Sequence, residues 1–245
     1  MKRYLYLILC VLISSCYVLP QKNKLYQAYS SVDLGVLGEQ KKTVRKNSFE
    51  VVGIPAYFHP IKLDFTSREF NNQNFKSYQR FLESTTKKDI IIYDDSLEIK
   101  PNYFELKIND KVSVIDEINN GGYNHKVKNY LYYNPELTLV TQIKFVAQPK
   151  VLQYLKQADA LYLFTKDNNQ SYILLYKEGK VIHELNSSEL QVFQYEVSSF
   201  CWNVHKMGGA RIVGLVDEGE LCENGAARNP IKEIDKREKK KINHY

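Results

Sequence analysis

Cys201 and His205 are the two residues whose types and spacing could form a nucleophile and a general base. A thiol and an imidazole four residues apart share one face if the chain between them is helical. A nucleophilic cysteine also needs a third group that orients the imidazole, and no motif in the sequence supplies one. No Gly-x-Ser-x-Gly elbow is present either. We therefore predict no catalytic residue.

Residues that could bind a metal ion are dispersed along the chain. The dipeptide His183–Glu184 begins like the helix motif of zinc proteases, but Ser187 stands where the second histidine is required. Asp94–Asp95 follows an apolar run and suits a tight turn. The acidic segment 217–223 lacks the regular ligand spacing of a calcium loop. The sequence therefore predicts neither a metal site nor a cofactor.

The first twenty residues have the layout of a secretory signal. Lys2 and Arg3 form a short positive region, and the ten residues Tyr4–Ile13 are apolar. A helix extended as far as Leu19 would rise about 24 Å, which is less than the hydrocarbon core of a bilayer. These features favour an exported protein over one with a membrane-spanning helix.

The end of this signal is more specific. Ile13-Ser14-Ser15-Cys16 resembles the lipobox of bacterial lipoproteins, in which an aliphatic residue and two small residues precede the cysteine. The resemblance covers only residues 1–16. It implies that Cys16 becomes the first residue of the mature chain and is acylated on sulfur, usually also on its amine. Ordinary secretion and retention as a short anchor are the alternatives.

The residues after Cys16 bear on the membrane that would hold the protein. Position 17 is Tyr. An Asp at this position would resemble a signal for retention in the inner membrane. No acidic run follows, and such a run is found in some lipoproteins exposed at the cell surface. We therefore expect an outer-membrane lipoprotein that faces the periplasm, with inner-membrane or surface placement left open.

Two thiols remain in the body of the exported chain, Cys201 and Cys222. Export places them in an oxidising compartment, where such pairs form bridges. They lie 21 residues apart. We therefore predict a Cys201–Cys222 disulfide.

The formal net charge of +6 lies at the two ends of the chain. Residues 1–15 carry +2 and residues 228–245 carry +4, so the body between them is neutral. A nucleic-acid-binding domain usually has a basic face on its folded body. We therefore expect no nucleic-acid partner.

The mature chain divides into three parts by composition. Residues 16–48 are predicted to be the lipidated N-terminus and a polar tether. Residues 49–227 alternate short apolar runs with turn residues, which predicts an α+β domain with a mainly antiparallel sheet of meander-linked strands. Residues 228–245 are predicted to be a basic solvated tail.

Two or three helices are expected in the α+β domain. The helices are predicted at 67–85, with Thr66 and Glu69 as a capping box, and at 149–158. Residues 189–204 fit a helix and a strand equally well. Strands are predicted at 49–56, 61–65, 89–93, 96–100, 103–108, 111–116, 126–133, 136–147, 160–166, 170–177 and 180–185.

These features support two hypotheses of function. The first is a lipid-anchored, non-enzymatic envelope protein that binds a protein partner, as an adaptor or as an accessory subunit of a trans-envelope assembly. The second is a lipid-anchored hydrolase that acts on envelope polymer with dispersed acids. A deep cleft with convergent carboxylates would favour the hydrolase, and an edge strand or flat surface with exposed aromatic residues would favour the adaptor.

Overall fold

The computed structural model describes residues 24–42, 47–85, 91, 96, 98–166, 170–205 and 209–242. The predicted signal segment with Cys16, the pair Asp94–Asp95 and most of the predicted strand 89–93 lie outside these residues. Among the described residues, no helix is long and apolar enough to cross a membrane.

Within the described residues, eleven antiparallel strands form one sheet, which is the body of the protein. Its main path runs β1-β10-β6-β5-β4-β7-β8-β9, with β11 beside β10 and the β2–β3 hairpin attached to β6. The strands are β1 Tyr26–Gln27, β2 Leu37–Lys42, β3 Asn47–Gly53, β4 Ile61–Glu69, β5 Asn102–Ile108, β6 Thr138–Ala147, β7 Ala160–Thr165, β8 Ser171–Lys177, β9 Lys180–Asn186, β10 Leu190–Val204 and β11 Ala210–Asp217.

Five α-helices accompany the sheet in the described residues, whereas two or three were predicted. They are α1 Asn72–Ser84, α2 Lys111–Asn120, α3 His125–Tyr133, α4 Pro149–Gln157 and α5 Pro230–Ile242. Short 3₁₀ turns lie at Gly122–Asn124 and Ser187–Glu189. The α+β class and the mainly antiparallel sheet are confirmed.

Helices α2 and α3 replace the strands predicted at 111–116 and 126–133. Asp110 caps α2, because its side chain accepts a hydrogen bond from the Ser113 amide at 2.9 Å. The buried residues of α2 then follow helical spacing, with Val114 and Ile118 four residues apart. The β-branched and aromatic residues of both segments suggested strands. In α2, the Asp110 cap and the helical spacing of the buried residues favour a helix instead.

Helix α1 begins later than predicted. The proposed capping pair Thr66 and Glu69 lies in β4, and the cap is instead Asn71, which accepts a hydrogen bond from the Asn74 amide. The helix packs through a cluster of five rings with centroids 5.2–6.2 Å apart. The rings are Phe70, Phe75, Tyr78, Tyr103 and Phe193.

The β6–β10 pair lies at the centre of the sheet and is buried over nearly its whole length. β10 pairs with β6 through residues 190–199 and with β11 through residues 198–204. A bulge leaves Phe193 without a partner on β6, and a second irregularity follows Glu196. These bulges interrupt the alternation of apolar and polar residues along the strand, which explains why 189–204 also resembled a helix. The structure resolves the ambiguity as a strand.

The chain from Lys24 to Lys42 belongs to the folded body, so the tether predicted over 16–48 is wrong for these residues. Val32 and Val36 are buried in the core. The Gly35 amide donates to the Val140 carbonyl oxygen at 2.9 Å. Gly35 has a φ of +80°, and a Cβ atom there would lie 2.5 Å from the Leu163 side chain. The glycines of this segment suggested a linker. In the fold, the absence of a side chain at Gly35 allows the chain to pack closely against Leu163.

Helix α5 packs on the body, so the prediction of a solvated tail is wrong for this helix. Pro230 is buried, and Ile231 and Ile234 are half-buried. Arg237 donates from its guanidinium to the Val204 carbonyl oxygen at 2.6 Å and pairs with Glu233 at 2.9 Å. The apolar side of the helix is narrow, which is why its composition suggested a solvated segment.

The predicted Cys201–Cys222 disulfide is confirmed, with the two Cα atoms 5.7 Å apart. It joins β10 to the acidic segment that follows β11. A bridge between Trp202 and Ala227 holds the same segment, with backbone hydrogen bonds of 2.8 and 2.9 Å in both directions. Because Cys201 is in the bridge, the hypothesis that it is a nucleophile paired with His205 is wrong.

Truncation after Ala227 is expected to lower the stability of the protein. It removes the apolar contacts of Ile231 and Ile234 and the Arg237 hydrogen bond, a loss of about 2 kcal/mol. Thermal unfolding followed by circular dichroism should show a melting temperature lower by about 6 °C. A triple alanine variant of the exposed residues Lys232, Lys236 and Lys239 is the control and should melt like the wild type. An unchanged melting temperature after truncation would contradict the packing of α5.

Removing the disulfide should also destabilise the protein. Cys201→Ala with Cys222→Ala frees a loop of about 20 residues in the unfolded chain, which costs about 3 kcal/mol in the chain-entropy model. Urea unfolding of the variant measures this loss. Mass spectrometry of unreduced, alkylated wild-type protein should recover the two cysteine peptides linked. Alkylation of both thiols without reduction would show that the bridge does not form.

Candidate binding surface

Helix α3 is held at its beginning by a buried asparagine. The Asn124 side chain accepts a hydrogen bond from the Ala56 amide at 2.8 Å. It donates to the carbonyl oxygens of Ala56 and Glu117 at 2.9 and 3.0 Å. These bonds tie α3 to α2 and to the loop before β4. Leu131, 1% exposed, inserts into the core farther along the helix, so the exposed residues of α3 are held in place.

An apolar groove lies between α3 and the β2–β3 hairpin. Its volume is about 390 Å³, within the range of sites that bind ligands or partner side chains. Two of its walls are open to solvent, since Val52 is 43% and Tyr130 50% exposed. The groove is lined by Leu37, Val52, Gly53, Lys126, Val127, Tyr130 and Leu137.

The hairpin wall of the groove is shaped by an irregular register. Leu37 pairs with Gly53 and Gly38 with Val51, so Val52 is the extra residue of a bulge. A Cβ atom at residue 38 would lie 2.2 Å from the Glu50 carbonyl oxygen, so the close approach of the two strands requires glycine. The bulge leaves Val51 and Val52 both exposed.

The outer edge of β3 is open within the described part of the chain. β3 pairs with β2 on one side, and no other described strand pairs with it. An open edge with exposed valines is a template for an added strand or for another protein surface. The groove and this edge are adjacent because Val52 and Gly53 belong to both.

His59 and Glu117 form the clearest acid–base pair in the described residues. The imidazole Nδ1 contacts the Glu117 carboxylate, which is buried while the imidazole is exposed. Burial, and then the charge of Glu117, raise the pKa of the enclosed Tyr57 hydroxyl. None of the three cavities described for the protein is lined by His59 or Glu117. The pair joins the loop before β4 to α2.

Asp217 lies in a polar network that supports the fold. Its carboxylate accepts hydrogen bonds from the Lys111 ammonium and the Ser198 hydroxyl, both at 2.8 Å. Burial alone would raise the pKa of Asp217, but these two bonds outweigh it and hold the pKa below its usual value. A general acid needs a raised pKa, so this carboxylate is suited to an ion pair and not to proton donation.

A second cavity, of about 430 Å³, lies beside the disulfide and contains the acids Glu220 and Glu223. The Glu220 carboxylate accepts a hydrogen bond from the Asp217 amide, and its carbonyl oxygen accepts one from Arg228. These bonds assign Glu220 to building the turn. Within the described residues, no group of three or more His, Cys, Asp or Glu side chains could hold a metal ion.

The dipeptide His183–Glu184, which began like a zinc-protease motif, makes contacts within the fold. His183 stacks on Tyr154 of α4 with ring centroids 4.3 Å apart, and the neighbouring Glu184 pairs with Lys166.

The groove was not predicted from the sequence, because the residues that form α3 were predicted to be a strand. The spacing of Val127 and Leu131, four residues apart, is the signal that could have identified the helix.

Comparisons with protein-family models, with curated proteins and with solved structures found no match to this chain. Its function must therefore be inferred from its own residues and their geometry.

Proposed function

We propose that this protein is a lipid-anchored, periplasm-facing protein of the outer membrane with a non-enzymatic adaptor role. It binds a partner protein of the cell envelope through the groove between α3 and the β2–β3 hairpin, as an accessory subunit of a trans-envelope assembly. The observation that carries the proposal is this open apolar groove beside an unpaired edge strand.

The groove is suited to a protein segment. Tyr130 offers a large side chain that is half exposed, and tyrosine is enriched among the residues that dominate binding energy at interfaces. Val51 and Val52 extend the apolar surface along the edge of β3. Lys126 at the rim adds one positive charge. The fitting partner is a segment that inserts an apolar side chain and places an acidic residue near Lys126.

The proposed anchor and the folded body lie close together in the chain. Seven residues, 17–23, separate Cys16 from Lys24. Fully extended, they span at most about 25 Å. Lys24 is already in contact with the body, because its ammonium pairs with Glu218 at 3.1 Å. An acylated Cys16 therefore keeps the body near the headgroups.

The hydrolase hypothesis has one supporting observation, the presence of Glu220 and Glu223 in the cavity beside the disulfide. The turn hydrogen bonds of Glu220 favour a structural role over a catalytic one. The adaptor proposal is favoured because the groove is lined mainly by apolar residues and two of them, Val52 and Tyr130, are exposed to solvent.

Lipidation is expected at Cys16. Labelled palmitate should enter the wild-type protein and be lost in Cys16→Ala, because the thiol is the acceptor of the acyl-bearing group. The matched control is Cys10→Ala, which changes the other cysteine of the signal and should leave labelling intact. Equal labelling of the Cys16→Ala protein would rule out this anchor.

Partner binding at the groove is expected to be specific to position. A photocrosslinking amino acid at residue 130 should give a discrete adduct in living cells. The same group at Val181 of β9, which is similarly exposed at 45%, should not. Val52→Asp places a charge in the groove and should abolish the adduct at 130, because the apolar side chain of the partner would have to desolvate a carboxylate.

The outcome that would contradict the docking proposal is an adduct at residue 130 that persists in a folded Val52→Asp protein. Equal crosslinking at residues 130 and 181 would contradict it as well. A melting curve like that of the wild type establishes that Val52→Asp is folded.

A further inference from the structure

The face of β7 and β8 that points away from the core carries a cluster of aromatic rings. Successive side chains of a strand point to opposite faces of the sheet. On β7, Leu161, Leu163 and Thr165 are buried. Tyr162 and Phe164 lie between them and therefore point to the other face, where they are half-buried. The β7–β8 register places residues 172, 174 and 176 on that same face. We call this surface the aromatic face, and its residues are Tyr162, Phe164, Tyr172, Leu174 and Tyr176.

In the described part of the chain, the helices that pack into the core do not cover the aromatic face. The buried apolar residues of α1, α2, α3 and α4 all belong to the core, and no residue of the aromatic face does. Helix α4, which lies beside these strands, packs on the opposite face. Its Tyr154 stacks on His183, which pairs in register with the core residue Leu175. Leu174 is only 7% exposed yet lies outside the core, which places it among the rings of the aromatic face.

The rings of the aromatic face are held in place by contacts within the fold. Tyr162 and Tyr176 pack edge to face, with ring centroids 5.3 Å apart. The Lys166 ammonium lies 4.7 Å from the centroid of the Tyr172 ring, and the Tyr172 hydroxyl donates to the Gln170 side-chain oxygen at 2.8 Å. Rings that are already ordered lose little conformational entropy when a ligand binds. Residues 172 and 176 are about 13 Å apart along β8, so the rings form an extended platform.

The charged side chains beside these rings balance one another. Lys166 pairs with Glu184 of β9. On the neighbouring strand β4, Lys62 pairs in register with Tyr162, and the exposed Asp64 lies on the same face two residues farther along. Balanced charge gives no long-range attraction for a polyanion or for an anionic membrane. The ligand that fits is therefore uncharged, with apolar faces for the rings and polar groups at its edge for the charged side chains.

We propose that the aromatic face binds an uncharged glycan chain with extended, β-linked sugars. The flat faces of a sugar ring carry C–H groups, whose partly positive hydrogens pack favourably on the electron-rich face of an aromatic ring. Hydroxyl groups around the sugar edge can donate to Asp64 and Glu184 and accept from Lys62. An extended chain can contact several rings of a strand face at once. The aromatic face shares no residue with the groove, so this proposal does not depend on the adaptor function.

Nuclear magnetic resonance with the purified full-length protein and chitotetraose, an uncharged β-linked glycan, tests the proposal. Saturation of the aromatic protons of the protein should transfer to the C–H protons of the sugar, because the two are in contact. Calorimetric titration should show saturable binding.

Substitutions on the aromatic face locate the binding site. Tyr162→Ala and Tyr176→Ala should each weaken the binding of chitotetraose about tenfold, because each removes a ring that packs on the sugar. Tyr162→Phe keeps the ring and should retain most of the affinity. Tyr133→Ala removes an exposed tyrosine of α3, so it is the matched control and should bind like the wild type.

The absence of saturable binding by the folded wild-type protein would overturn the proposal, as would unchanged affinity in folded Tyr162→Ala and Tyr176→Ala proteins. Equal affinity for maltotetraose, whose α-linked chain is coiled, would contradict an extended ligand. A discrete protein adduct from a photocrosslinking amino acid at residue 164, without any glycan binding, would identify the aromatic face as a protein interface instead. None of these results bears on the crosslinking test at residue 130, so the two proposals fail separately.

Discussion

The ladder between β6 and β10 is the interaction on which the other elements depend. Further strands pair with each of these two strands on the side away from the ladder. β5 and β2 pair with β6, and β1 and β11 pair with β10. Side chains on both faces of the two strands are buried, so the polar ones among them need partners inside the protein. Lys144, for example, pairs with Glu105 at 3.2 Å and lies over the ring of Tyr103.

Helix α3 shows how this frame produces surface cavities. Leu131 and the Asn124 hydrogen bonds fix the helix on the body, and its other side chains except that of His125 line two cavities. Lys126 and Tyr130 face the hairpin attached to β6, whereas Lys128 and Tyr132 face the end of the β10–β11 pair. This nine-residue helix thus lines an apolar groove on one side and a cavity with Lys128, Tyr132 and Trp202 on the other.

Some of this arrangement could be predicted from the sequence. The antiparallel sheet follows from short alternating runs with turn residues between them, and the Cys201–Cys222 bridge follows from two thiols in a chain that was predicted to be exported. The helix that begins at Pro149 was also predicted within one residue of its observed end. These features depend on local patterns or on the chemistry of a single residue type.

The features that were missed depend on contacts between distant segments. The Gly35 region looked like a linker, because the Val140 strand against which it packs is about a hundred residues away. The bulge at Phe193 concealed a strand, and the groove at Tyr130 requires a helix and a hairpin brought together by the fold. No periodicity within one segment encodes such a site.

The early entry of the chain into the sheet has a mechanical consequence. If the proposed anchor at Cys16 and the proposed partner at α3 are both present, the body lies between two points of attachment. Tension between them would then reach the described part of the fold first at Lys24. The contacts that carry this load first are the Glu218 ion pair and the short β1 strand, where Tyr26 pairs with Tyr195 of β10. If Cys16 is the anchor as proposed, force on it reaches the central ladder through these first contacts.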